Sequence, residues 1–125
     1  MKTYRCKKYE IEETEVLGRI ERNFKDRPKN INEILAKAVQ RYPEREGLIA
    51  GDRRMTFTKL DELSSRIAAA LQDTFGVQKG DRIALLLGVC LEFPLAFFAL
   101  MKLGAIAVPL NTRFKGEELA YEIDN

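Results

Sequence analysis

The sequence predicts an α/β fold containing one parallel strand pair, and three observations carry that prediction. Residues 83–110, IALLLGVCLEFPLAFFALMKLGAIAVPL, divide into a short apolar run, a longer helical stretch and a second apolar run. Glycine and proline fall at the joints, at Gly88, Pro94, Gly104 and Pro109. Amphipathic helical patterns upstream alternate with short strand-like segments, which is the order of an α/β protein.

The elements follow in chain order. Residues 1–29 are rich in charge and show no sustained period, so they read as a charged leader, extended or partly helical over Thr14–Phe24. Asn30 and Glu33 have the spacing of a capping box. The helix they open carries Ile31, Ile34, Leu35, Ala38, Val39 and Tyr42 on one face, and Pro43 ends it. Packing against its own domain is the ordinary role of such a stripe; a partner-binding helix is the functional alternative. Gly47–Ala50 and Arg54–Phe57 flank Gly51-Asp52-Arg53, the pattern of a tight hairpin. Thr58 and Asp61 give a second capping signal. It opens a helix expected to bury Leu60, Leu63, Ile67, Ala70 and Leu71, and Gly76 stops it.

Arg82–Leu87 is continuously apolar after one charge, the mark of a strand buried on both faces. Leu91–Leu103 follows as a helix with Pro94 in its first turn and Gly104 just past its end. Ile106–Leu110 forms the second strand, parallel to the first through a right-handed crossover. Asn111–Lys115 is a loop, and Gly116–Asp124 one further helix. Helix 91–103 is apolar nearly all round and so expects cover on more than one side. A two-stranded parallel sheet also needs burial of its faces and edges. Both features describe an incomplete unit that needs further protein around it.

The same 28-residue stretch does not suit a bilayer. A spanning helix needs about 20 predominantly apolar residues, and Glu92 and Lys102 interrupt the run. No membrane span is expected.

Composition excludes several function classes. The apolar share is 46% and the charged share 32%, ordinary for a soluble globular domain. Lys and Arg number 21 against 19 Asp and Glu, too even a balance for nucleic-acid binding. The excess is local, since residues 1–30 hold nine basic and six acidic side chains. Cys6 and Cys90 form no CxxC motif, and Cys90 lies in apolar surroundings, where a reduced thiol is the plain reading. The N-terminus lacks the apolar core of a signal peptide, so a cytoplasmic setting is expected.

Chemistry is sparse. There is no histidine, which removes Ser-His-Asp and Cys-His systems and the commonest zinc sets. No Gly-x-Gly-x-x-Gly or Gly-x4-Gly-Lys-Ser/Thr cradle occurs. The carboxylate pairs Glu12–Glu13, Asp61–Glu62 and Glu117–Glu118 lie in charged stretches or first helical turns, where favourable helix-dipole contacts account for them. No self-sufficient catalytic or metal site emerges.

Four segments in order nevertheless resemble one family. MTFTKLDELSSRIAAAL, GVQKGDRIALLL, GAIAVPLN and the EEL that follows are similar to the opening of the AMP-binding, adenylate-forming ligases of the acyl-CoA synthetase superfamily. The resemblance runs from about Asn30 to Asn125. It implies a truncated, βαβ-containing part of such a ligase's large N-terminal domain, with an incomplete sheet. It further implies a two-step reaction, adenylation of a carboxylic acid by ATP with magnesium and then thioester formation with coenzyme A. The family's phosphate loop, adenine and ribose motifs, acyl pocket and catalytic lysine come later, so no catalytic residue and no cofactor is expected in this chain alone. One contact carries over: Arg113 in PLNTRF matches a basic residue that can lie near CoA phosphates. One position departs, because Val89 in GVCLEF stands where the family often has asparagine, and valine cannot cap a helix.

Two readings result. The first is a scaffold fragment of an acyl-CoA synthetase, inactive alone, whose partner is the remainder of the ligase. The second is a free-standing dimerisation or interaction module that presents helix 91–103 to a second copy or another chain.

Overall fold

The computed structural model describes residues 10–124. Its first element overturns the helical expectation for Thr14–Phe24. Strands β1 (Ile11–Val16) and β2 (Arg19–Phe24) form an antiparallel hairpin in full register. Leu17 and Gly18 turn the chain, both at positive φ, 51° and 76°. A two-residue turn with both φ positive matches the right-handed twist of the flanking strands. Acidic β1 pairs with mixed β2, including Glu13 opposite Arg22, so cross-strand partners replace a helical face.

Helix α1 (Ile31–Arg41) begins where the capping signal placed it. Asn30 Oδ1 accepts the Glu33 N–H at 2.9 Å, while the Glu33 carboxylate reaches back to the Lys29 N–H. Its stripe is only partly used: Leu35 is buried, but Ile31, Ile34 and Tyr42 remain exposed. Strands β3 (Glu46–Ala50) and β4 (Arg53–Thr56) pair antiparallel about a two-residue Gly51-Asp52 turn, and Arg53 joins the strand instead of the turn.

Helix α2 (Phe57–Phe75) starts two residues earlier than its predicted signal. Thr56 is the cap, its hydroxyl accepting the Lys59 N–H at 3.2 Å. The Thr58 hydroxyl instead donates to the Pro43 carbonyl at 2.9 Å and ties α2 to the end of α1. The buried line of α2 also differs, running through Leu60, Ser64 and Ala68, with Ala70 exposed. Small side chains there let helices approach closely, and α3 is the most extensive helical neighbour of α2.

Strand β5 (Arg82–Leu85) pairs in parallel with β6 (Ile106–Pro109) through helix α3 (Glu92–Leu103). The predicted βαβ unit is thus present, with β5 two residues shorter than expected. Its pairing stops opposite Pro109, which has no N–H to donate, and the Leu110 N–H closes on the Leu85 carbonyl. Gly104 ends α3 at φ 71°, in the left-handed conformation that turns the chain into β6. Helix α4 (Gly116–Asp124) lies last and buries none of its residues fully.

The three sheets are all two-stranded. Two cores hold β3–β4 and β5–β6 against the helices, and the β1–β2 hairpin contributes to neither. Leu35, Met55, Leu60, Leu91 and Leu95 pack where α1, α2, α3 and β4 meet, and Val77, Leu85, Leu100 and Ala105 pack under β5 and β6. Helix α3 contributes to both. Leu95, Ala99 and Leu100 of α3 are buried, while Phe93, Ala96, Phe97, Phe98, Met101 and Leu103 are only half-buried, so the helix still has room for the further cover its sequence asks for. Further uncovered apolar surface lies on the parallel pair, where Ala84, Leu86 and Ile106 are exposed.

Candidate functional site

Parallel strands place their carboxyl ends together, and in open α/β sheets ligands bind in the crevice beyond those ends. Here the two connections concerned are residues 86–91 after β5 and 110–115 after β6. They enclose a mainly apolar cleft of about 430 Å³, formed by Leu87, Gly88, Val89 and Cys90, by Phe93 and Pro94 on α3, and by Thr112. Val89 is fully exposed at its edge. Behind the cleft, Phe93 stacks on Phe97 with ring centroids 6.4 Å apart, and Phe98 meets Phe97 edge-on at 5.8 Å. Aromatic packing of this kind makes the wall stiff.

Val89 does not occupy the capping position of α3, which is Leu91. The α3 N-terminus has no side-chain cap. Glu92 in its first turn meets the helix's positive end instead. Its carboxylate lies 2.7 Å from the Arg53 guanidinium. That hydrogen bond first, then the helix backbone N–H and the Cys90 thiol, hold its pKa below the usual 4.5. Arg53 thereby fixes the β3–β4 turn against the root of the cleft.

Arg113 lies in the β6–α4 loop next to Thr112, a cleft residue. Its backbone N–H donates to Asn111 Oδ1 at 3.0 Å, an Asx turn that shapes the loop. The side chain is exposed and has no carboxylate partner among the described residues. An unpaired guanidinium beside an apolar cleft can take a phosphate group bidentately.

The other sequence candidates are structural. Asp61 binds Lys102, Glu118 accepts the Lys115 N–H, and Glu12 and Glu13 lie on β1 opposite Asn23 and Arg22. Cys90 is a free, half-buried thiol, and Cys6 lies outside the described residues. Among the described residues no group of acidic and cysteine side chains could hold a metal, and no helix is long and apolar enough to cross a membrane. Sequence reasoning missed the polar junction of α1, α2 and α3. There Lys102 reaches Asp61 and Ser65, and Asn32 Nδ2 donates to the Met101 carbonyl at 2.8 Å. Its only signal was a lysine inside an apolar helix.

Comparison with known proteins decides the family. The family model described as "AMP-binding enzyme" matches residues 35–125, from the middle of α1 through α4. The chain belongs to the AMP-binding enzyme family. The long-chain-fatty-acid–CoA ligase of Haemophilus influenzae is 36% identical over 97 residues, covering 78% of this chain but 17% of that enzyme. A medium/long-chain-fatty-acid–CoA/3-oxocholest-4-en-26-oate–CoA ligase of Mycobacterium marinum is 36% identical over 96 residues, again 17% of its length. Among solved structures, the N-terminal subdomain of Klebsiella oxytoca NpsA in complex with anthranilyl-AMSN matches with a TM-score of 0.74 at 32% identity, covering 78% of this chain and 26% of that one. The N-terminal domain of Mycobacterium tuberculosis FACL13 matches with a TM-score of 0.71 at 36% identity, covering 77% and 25%. This member of the AMP-binding enzyme family therefore has the fold of part of the N-terminal subdomain of adenylate-forming enzymes, and spans under a fifth of the ligases named above.

Proposed function

We propose that the chain is the N-terminal scaffold of a cytoplasmic acyl-CoA synthetase and is inactive alone. The complete enzyme activates a carboxylic acid of the fatty-acid class with ATP and transfers it to CoA. The observation that carries this reading is the cleft at the carboxyl ends of β5 and β6 with Arg113 at its side. It lies within residues 35–125, which match the AMP-binding enzyme family. Arg113 fits a CoA phosphate, where a planar guanidinium supplies charge and two parallel donors. ATP and its magnesium are taken to bind through other parts of the complete enzyme, where the family's phosphate loop and nucleotide motifs lie. The remainder of the ligase is the partner, covering the bare side of β5 and β6. The alternative is an interaction module that presents the half-buried apolar residues of α3, among them Phe93 and Phe97, to a second copy or another chain.

A chimera tests the reading. Residues 30–125 replace the matching segment of the Haemophilus influenzae ligase, and acyl-CoA formation is measured. Retained synthesis is expected. In the chimera Arg113→Ala should raise KM for CoA about tenfold while kcat changes little. An unchanged KM removes Arg113 from the CoA site. ATP–pyrophosphate exchange by the isolated chain would refute its inactivity.

A further inference from the structure

A second cleft, sharing no residue with the first, lies at the C-terminal end of α1. It measures about 480 Å³ and is lined chiefly by Lys37, Arg41 and Arg45, with Tyr42, Phe57 and Glu46 between them. We propose that it binds a phosphate-bearing anion.

Three cations face this cleft, and its one lining carboxylate, Glu46, is already held by Arg54 at 2.8 Å. Lys37 is partly neutralised by Glu33, also at 2.8 Å. Arg41 and Arg45 have no carboxylate partner among the described residues. Arg45 is held in place by other means. Its guanidinium lies over the Tyr42 ring, 5.6 Å from the centroid. Its backbone N–H donates to the Tyr42 carbonyl at 3.1 Å, and its carbonyl accepts from the Phe57 N–H at 3.1 Å. The helix dipole explains a cation at Arg41, in the last turn of α1. It does not explain Arg45, which lies beyond the helix, or the presence of both arginines in the lining of one cleft. Guanidiniums match phosphate oxygens bidentately, which selects phosphate over a simple halide. Tyr42 and Ile34 are exposed on the same helix, so the phosphate can come from a lipid headgroup as well as from a free compound.

The test uses the purified chain at about 50 mM salt, where surface charge is weakly screened. Inorganic pyrophosphate is titrated by calorimetry. In parallel, the chain is sedimented with phosphatidylglycerol vesicles and with phosphatidylcholine vesicles. At least one anionic probe should bind, and the double variant Arg41→Gln/Arg45→Gln should weaken it about tenfold. Arg66→Gln, an exposed cation on α2, should leave binding unchanged. Should the double variant lose its circular dichroism signature, Lys37→Gln alone should still weaken binding about threefold. Pyrophosphate binding identifies a free phosphate compound as the ligand. Binding to phosphatidylglycerol alone identifies a headgroup. The proposal is overturned if neither anionic probe binds, or if Arg66→Gln costs as much as the cleft variants.

Discussion

Lys102 Nζ lies 2.5 Å from Asp61 Oδ1 and 3.0 Å from Ser65 Oγ, joining α3 to α2 across the principal helix contact of the fold. The Lys102 side chain is 23% exposed and the Asp61 side chain 39%, so water screens the pair only in part. Asp61→Ala leaves a mostly covered lysine side chain with one hydroxyl partner, and should cost about 2 kcal/mol. Lys102→Met keeps the packed stem and removes the charge, and should cost less, about 1 kcal/mol. Urea denaturation of both variants checks the order. Equal losses would mean that the pair contributes attraction alone and no desolvation penalty.

Glu92 and Glu33 give the fold a defined acid sensitivity. Both carboxyls titrate below 4.5, Glu92 chiefly through Arg53 and Glu33 chiefly through the Lys37 side chain and then the Lys29 N–H. A carboxyl whose folded pKa lies below its unfolded value adds stability above the unfolded value and loses it as pH falls through the folded one. At neutral pH, Glu92→Gln and Glu33→Gln should therefore melt below the parent chain. Those gaps should close as pH drops below 4.5. Melting curves followed by circular dichroism across this window check the sign, and a gap that widens in acid would reverse it.

The parts legible in the sequence were those with local punctuation. Asn30 set the start of α1, Gly104 the end of α3, Pro109 the end of β6 and Gly116 the start of α4. The β1–β2 hairpin was not legible, because charges occupy both faces and Leu-Gly is not a strong turn pair. Nor was the buried line of α2, since Ser64 is polar yet fully enclosed, its hydroxyl donating to the Asp61 carbonyl. Arg113 was singled out through a motif, whereas the cleft beside its loop was not foreseen. Val89, Phe93 and Thr112 meet only once β5 and β6 have paired.

Leu17 offers a route to greater stability. It sits at φ 51° and is 99% exposed, so it accepts left-handed strain without any packing in return. Asparagine tolerates that conformation and forms the favoured Asn-Gly pair with Gly18. Leu17→Asn should therefore stabilise the hairpin by about 1 kcal/mol. Amide exchange along Arg19–Phe24 should slow by about fivefold, the corresponding change in local opening. No slowing, with unchanged melting, would show that the turn is not what limits hairpin stability.

Gly104 combines two demands at the α3–β6 junction. Its φ of 71° disfavours any side chain, and an added Cβ would lie 3.0 Å from Lys79 Cγ. The same residue's carbonyl accepts the Gly80 N–H at 3.0 Å, coupling the start of β6 to the loop before β5. Lys79 can swing aside, so backbone strain should dominate, and Gly104→Ala should cost about 1–2 kcal/mol. Lys79→Ala clears the space without altering φ, which separates the two causes. If Gly104→Ala is rescued fully by Lys79→Ala in urea denaturation, the cost is steric. If the loss persists in the double variant, as expected, the left-handed turn itself requires glycine.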